Sequence, residues 1–369
     1  MLKRIIAPLF NILTPLNNVI AKKKRIVLYS NLGFRDNVLS LANYLIEHHV
    51  TDQYECVFIS NKFYRNFKGI KNVKVTSPLL GIYYFLTSKY FFYCFGKYPI
   101  KPSPEQIVVN LGHGMPIKKI GNSEEKRKNI DYNYFNYVLS YSSYFDQIIM
   151  DSFGAEGKQL MHFGAPRNDE LFVQEEINEE PRKVIWMPTY QEERTAQFLA
   201  PFTDKQVLDE LDAFLQARNC ILYIKPHPLE KRTFSKSDTT NIKFITDDII
   251  LQKYSSLYTC LAEMSGLITD YSSISIDYLL LNRPIAYIFS NEAVYRRERG
   301  FNFDDLDEIT AGVTIKTIED FNQFIDVVCR IQPDRFINKR KTLISKFHKY
   351  RDGDNTHRIL ESIGIRNND

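Results

Sequence analysis

Paired cysteines are missing from this sequence. Cys56, Cys94, Cys220, Cys260 and Cys329 stand singly, and no CxxC occurs. That excludes a disulfide framework and a thiolate zinc site, and it suits a reducing compartment. The phosphate loop GxxxxGK[ST] is absent, as are GxGxxG, HExxH and GxSxG. No DxD pair follows a strand pattern. Asp247-Asp248 and Asp304-Asp305 are adjacent carboxylates in polar stretches and read as solvated. No metal site is expected, and no cofactor. Strong charge of one sign is lacking too. A formal net charge of +4 does not mark a nucleic-acid binder, and none is expected as partner. No uninterrupted apolar run is long enough to span a bilayer.

What is present reads as a globular protein. With 369 residues, 44% hydrophobic and 25% charged, the chain exceeds what one core usually holds, so two domains are expected. The first 24 residues stand apart from the mild overall charge. MLKRIIAPLFNILTPLNNVIAKKKR carries Lys3, Arg4, Lys22, Lys23, Lys24 and Arg25 and no acid. Leu2, Ile5, Ile6, Leu9, Leu13, Leu16 and Ile20 recur at helical spacing, interrupted by Pro8, Pro15, Asn17 and Asn18. KKKR stands where a signal peptide would have small residues. A basic, amphipathic segment lying on an anionic membrane surface fits this pattern. A helix docked on its own domain is the plainer reading.

Short apolar runs then alternate with helical patterns. RIVLYS, YECVFIS, YFFYCFG and QIVVNLG read as strands of one half. The polar stretch QEEINEEPRK reads as a linker. KVIWMP, CILYIKP, IKFIT, GLITD and PIAYIF read as strands of a second half. Alternation of this kind predicts parallel sheets covered on both faces, hence an α/β protein of two doubly wound domains. The boundaries expected are 1–24 for the basic segment, 25–178 for the first domain and 179–369 for the second. The last helix is a candidate to pack back on the first.

Every unusual cluster follows a predicted strand, where ligand loops converge in such sheets. In NLGHGMPIKKIG, Gly112 and Gly114 flank His113 and leave its imidazole unobstructed. An imidazole there can take a proton from a hydroxyl, and Lys118 and Lys119 can hold an anion. A turn histidine without chemistry is the bland alternative. In KPHP, prolines on either side fix His227, and Lys225 precedes it, a pair suited to phosphate. In TDYSSISIDYLLLNRP, Asp270, Ser272 and Ser273 stand where a strand hands over to an apolar helix. Hydroxyls and free N–H groups there make an anion site. Plain capping would explain one serine but not the whole cluster.

In order, HGMPIKKIG, GAPRNDELF, MPTY, KPHP, TDYSSISIDYLLLNRPIAYI, RGFNFD and YRDGDNTHRIL resemble the motifs of the CDP-glycerol glycerophosphotransferase family. That family primes and polymerises wall teichoic acids and related capsular polymers. The resemblance runs from GFRDN to about Leu360. It implies two Rossmann-like domains of the GT-B type with an active site in the cleft between them. It implies His113 as general base toward the acceptor hydroxyl and His227 as the contact that stabilises the donor diphosphate as CMP leaves. Ser272 and Ser273 would hold donor phosphates and Asp270 would orient their loop. Arg167 would lie near the cleft, with Lys118, Lys225 and Arg283 as further phosphate contacts.

Some positions depart from the family pattern. Gly112 stands for the usual tryptophan, Met115 for threonine, and Tyr190-Gln191 for tryptophan-arginine. The activity implied is transfer of glycerol phosphate from CDP-glycerol to a lipid-linked saccharide acceptor at the cytoplasmic face of the membrane. CDP-ribitol as donor, a GT-B nucleotide-sugar transferase and an inactive scaffold are the alternatives.

Overall fold

The computed structural model describes residues 2–172, 180–188, 205–226, 239–289 and 292–366. The chain divides into two compact units. Residues 1–115, 120–170 and 348–369 form the first, and residues 116–119 and 171–347 form the second.

The first unit is built on a seven-stranded, all-parallel sheet. Its strands are β1 (Lys23–Ser30), β2 (Glu55–Ser60), β3 (Val73–Thr76), β4 (Ser88–Phe95), β5 (Ile107–Asn110), β6 (Tyr137–Leu139) and β7 (Leu160–Met161). They lie in the order β3-β2-β1-β4-β5-β6-β7. The second unit carries a six-stranded parallel sheet of β8 (Arg182–Trp186), β9 (Cys220–Ile224), β10 (Ile242–Phe244), β11 (Gly266–Thr269), β12 (Ile285–Tyr287) and β13 (Val313–Thr314). Its order is β10-β9-β8-β11-β12-β13. Both orders reverse at one point, the doubly wound pattern that was expected.

The physical reason is burial on both faces. Ile26, Val27 and Leu28 of β1 are wholly buried, as are Val184 and Ile185 of β8, so these strands read as continuous apolar runs rather than alternating ones. Nine of the thirteen strands among the described residues were predicted. The four that were not, β3, β6, β7 and β13, have two to four residues each and lie at or next to a sheet edge. The linker expected at QEEINEEPRK falls largely outside the described residues, and its last two, Arg182 and Lys183, open β8.

The N-terminal segment is one helix, Leu2–Val19, which runs unbroken through Pro8 and Pro15. Tertiary contacts anchor its C-terminal end. Asn17 is buried, and its Nδ2 donates to Lys101 O at 3.0 Å and to Gln106 Oε1 at 2.6 Å. Lys22 and Arg25 are turned inward rather than toward a lipid surface. Lys22 Nζ donates to Asn17 O, Asn17 Oδ1 and Leu86 O, and burial pulls its ammonium pKa down. Arg25 is buried against Glu55 at 2.6 Å. Ile12, Leu16 and Val19 stay exposed, at 70%, 44% and 79%. No helix among the described residues is long and apolar enough to cross a membrane.

Candidate functional site

In the first unit, the loop after β5 is pinned by one side chain at its own root and one distant in sequence. Asn110 Oδ1 accepts from Gly112 N at 3.0 Å. Asn37 Nδ2 donates to both Leu111 O and Gly112 O at 3.0 Å. Gly112 has φ 60° and Gly114 φ 107°, the left-handed region that a side chain would strain. Between them His113 is exposed, its ring packed against Phe95 at 5.1 Å. A fixed backbone with an outward ring is what a proton acceptor on this loop requires.

Arg167 is buried beside this loop. It is 4% exposed, and its Nη1 lies 2.7 and 2.8 Å from the two carboxylate oxygens of Asp36. Its backbone N–H donates to Asn37 Oδ1 at 3.3 Å. Arg167 is therefore tied to the histidine loop through Asp36 and Asn37. The Asp36–Asn37 pair is the part that motif reading missed. Its signal was the GFRDN run after β1, whose Asp36 has φ 62°, a costly conformation for a residue with a side chain.

The neighbouring Asp169 closes the same motif onto the chain's last helix, Asn355–Ser362. Its carboxylate accepts from Asn355 N, Asn355 Nδ2, Thr356 N and Thr356 Oγ1, at 2.7 to 2.9 Å. Burial pushes its carboxyl pKa up, and these four donors pull it back without cancelling the rise. So the PRND run and the DNTHRIL run, 186 residues apart, form one structural clamp.

In the second unit, sheet order brings three motif loops side by side. β9, β8 and β11 are neighbours, so Lys225-Pro226, Met187-Pro188 and Asp270 to Ser273 leave one carboxyl edge together. Lys225 N donates to Trp186 O at 2.9 Å, Met187 N to Ile268 O at 2.9 Å, and Thr269 Oγ1 to Met187 O at 3.3 Å. His227, Pro228, Thr189 and Tyr190 lie outside the described residues.

Asp270 is buried, and Ser272 and Ser273 are half-buried. Ser273 is the N-cap of the helix Ile274–Tyr278, yet its side chain makes no capping hydrogen bond. Ser272 Oγ accepts from Ile274 N at a long 3.5 Å. Tyr271 is buried in a cluster with Phe289, Tyr295 and Phe301, and burial raises its phenol pKa above the ordinary range, helped by Glu292 and Asp270.

Lys225, Arg283 and Lys118 each have a partner within the second unit. Lys225 is 8% exposed and its Nζ pairs with Asp247 Oδ1 at 2.8 Å, so Asp247 is an ion-pair partner and not simply solvated. Arg283 Nη1 donates to Ala262 O at 2.6 Å and Met264 O at 2.9 Å. These bonds close the end of the helix Leu257–Ala262. Lys118 Nζ sits over the Tyr295 ring at 5.4 Å. Its backbone, with Pro116 and Ile117, is stitched to the RGFNF run: Asn302 Nδ2 donates to Pro116 O and Lys118 O, Asn302 N to Ile117 O, and Lys119 N to Gly300 O.

Two reversing parallel sheets with polar loops on their carboxyl edges place the chain among two-domain α/β proteins of the GT-B type. The chain belongs to the CDP-glycerol:poly(glycerophosphate) glycerophosphotransferase family, whose model matches residues 12–364. It is 25% identical over 239 residues to the teichoic acid glycerol-phosphate primase of Bacillus subtilis strain 168, covering 63% of this chain and 58% of that protein. It is also 25% identical over 237 residues to the teichoic acid ribitol-phosphate primase of Bacillus spizizenii strain W23, covering 57% and 58%. In each case the match spans less than two thirds of the relative's length. A structure of the wall teichoic acid polymerase TagF with CDPG superposes with TM-score 0.73 at 17% identity, over 97% of this chain and 92% of that one. That likeness shows the fold.

Proposed function

We propose that this protein transfers glycerol phosphate from CDP-glycerol to a hydroxyl of a lipid-linked saccharide acceptor and releases CMP. The observation that carries the reading is His113, exposed on a loop whose backbone Asn37 and Asn110 hold from both sides, in a chain of this family. His113 takes the acceptor's hydroxyl proton. The acceptor oxygen bonds to the phosphorus that carries the glycerol, and the bond from that phosphorus to the bridging oxygen breaks. CMP leaves with the bonding pair. Such transfers are accelerated mainly by positioning and charge stabilisation. Ser272, Ser273 and the N–H groups of their turn are assigned to the donor phosphates, with His227 assigned to the donor diphosphate, stabilising charge as CMP leaves. Asp270 orients that turn.

The helix Leu2–Val19, with bare Ile12, Leu16 and Val19 and the exposed Lys23 and Lys24, is assigned to the anionic cytoplasmic face of the membrane, where a lipid-linked acceptor resides. CDP-ribitol is the second reading, supported by the similarity to a ribitol-phosphate primase. CMP release is measured with each donor and a lipid-linked disaccharide. Release from CDP-glycerol alone supports the reading. Release from CDP-ribitol alone replaces the polyol, and release from neither overturns the donor class.

A further inference from the structure

The carboxyl edge of the first sheet carries a second histidine that no motif singled out. His162 follows β7 directly. Its Nε2 lies 2.9 Å from both Asp146 Oδ1 and Asp146 Oδ2. Asp146 opens the helix Asp146–Phe153 just after β6, and Ser140 Oγ, at the end of β6, donates to Asp146 Oδ1 at 2.8 Å. Ser140 in turn is fixed by its backbone N–H, which donates to Met161 O at 2.9 Å. Serine orients the carboxylate, and the carboxylate orients the ring.

The arrangement has a chemical consequence. A neutral ring whose Nε2–H donates to a carboxylate presents its Nδ1 lone pair on the other side, as a hydrogen-bond acceptor. The His162 side chain is 35% exposed and that of Asp146 23%, so the ring is reachable while its anchor is more sheltered. β5, β6 and β7 are successive neighbours. Two strand spacings set the roots of the His113 and His162 loops about 10 Å apart. That is the span of one or two sugar or polyol units.

We propose that His162, held by Asp146 and Ser140, is an acceptor-positioning residue that receives a hydrogen bond from a hydroxyl of the acceptor's saccharide or polyol end. The proposal rests on the reading above, in which the hydroxyl that reacts is at His113.

The test is kinetic and spectroscopic. His162→Ala should raise the acceptor KM about tenfold, the effect of one lost hydrogen bond, and leave the donor KM within about twofold. Asp146→Asn, which frees the ring to turn, should move the acceptor KM the same way. A set of acceptors each lacking one hydroxyl is then assayed with both proteins. One analogue should already be weak with the unaltered enzyme and should lose nothing further with His162→Ala. Separately, in nitrogen-labelled histidine spectra recorded without donor, the Nδ1 signal of His162 should shift when the disaccharide acceptor is added. An unchanged acceptor KM in a variant that melts normally overturns the proposal, as does an equal loss with every analogue. If the unaltered protein releases no CMP from either donor, the transferase reading fails instead, and the spectra still decide whether His162 meets the acceptor.

Discussion

Arg167 and Asp36, 131 residues apart in sequence, form a buried ion pair in which one guanidinium nitrogen reaches both carboxylate oxygens. Asp36 also accepts from Asn37 N at 2.7 Å. The pair fixes the residue that pins the histidine loop. Arg167→Met removes one partner and leaves the other carboxylate sheltered. The expected cost is on the order of 3 kcal/mol in urea unfolding of the first unit. Adding Asp36→Asn should recover part of it, and a double-mutant cycle reads the coupling.

Asn37→Asp is a sharper probe than Asn37→Ala. The carboxylate would still accept from Arg167 N, but it would face the carbonyls of Leu111 and Gly112, which now receive its two donors. Misplacing the loop by a fraction of an ångström is expected to lower kcat at least about tenfold with little change in donor KM. Steady-state CMP release checks this. Full kcat in a folded Asn37→Asp protein would separate the loop from catalysis.

Asp169→Ala should release the last helix. Four donors from Asn355 and Thr356 lose their acceptor at once, at an expected cost of about 2–3 kcal/mol. Limited proteolysis should then cut between Lys349 and Asp354 well before the unaltered protein is cut there.

Arg283→Ala separates a structural clamp from a phosphate contact. Loss of the bonds to Ala262 O and Met264 O is expected to cost about 1–3 kcal/mol, with the donor KM unchanged. A large rise in donor KM without loss of stability would return Arg283 to the ligand.

Lys97 gives a pH prediction. Its Nζ donates to Asp131 O at 2.6 Å and lies 4.4 Å from the ring centroids of both Tyr132 and Tyr134. Burial pulls its pKa down to about 7 from 10.5, Asp131 opposing and Lys101 adding to the drop. Between those two values the unfolded chain binds more protons at this site than the folded one. Lys97 therefore adds a contribution to stability that rises with pH from about 7 toward 10.5. In Lys97→Met the rise across that window should flatten. Thermal melts in matched buffers measure it, and identical slopes would contradict the shift.

Much of the fold was legible because burial leaves a local trace. Strands covered on both faces need unbroken apolar runs such as RIVLYS and KVIW, and these can be read without knowing any partner. β6 and β7, at three and two residues, leave no such trace. The same limit hid Asp146 and His162, which stand in no motif and are joined only because β6 and β7 pair.

The sequence by itself determined the two α/β halves, the strand-end placement of the clusters that begin after β5, β8, β9 and β11, and the family. Tertiary structure decided what the polar residues of those motifs do. Arg167 turned to Asp36, Lys225 to Asp247, Arg283 to two carbonyls, and Asp169 to Asn355 and Thr356. It also grouped residues 116–119, three positions beyond His113, with the second unit through Asn302. The reason is physical. Apolar periodicity is a property of one segment, whereas a buried charge must find a partner of matching geometry, and that partner is brought near only when the chain closes on itself.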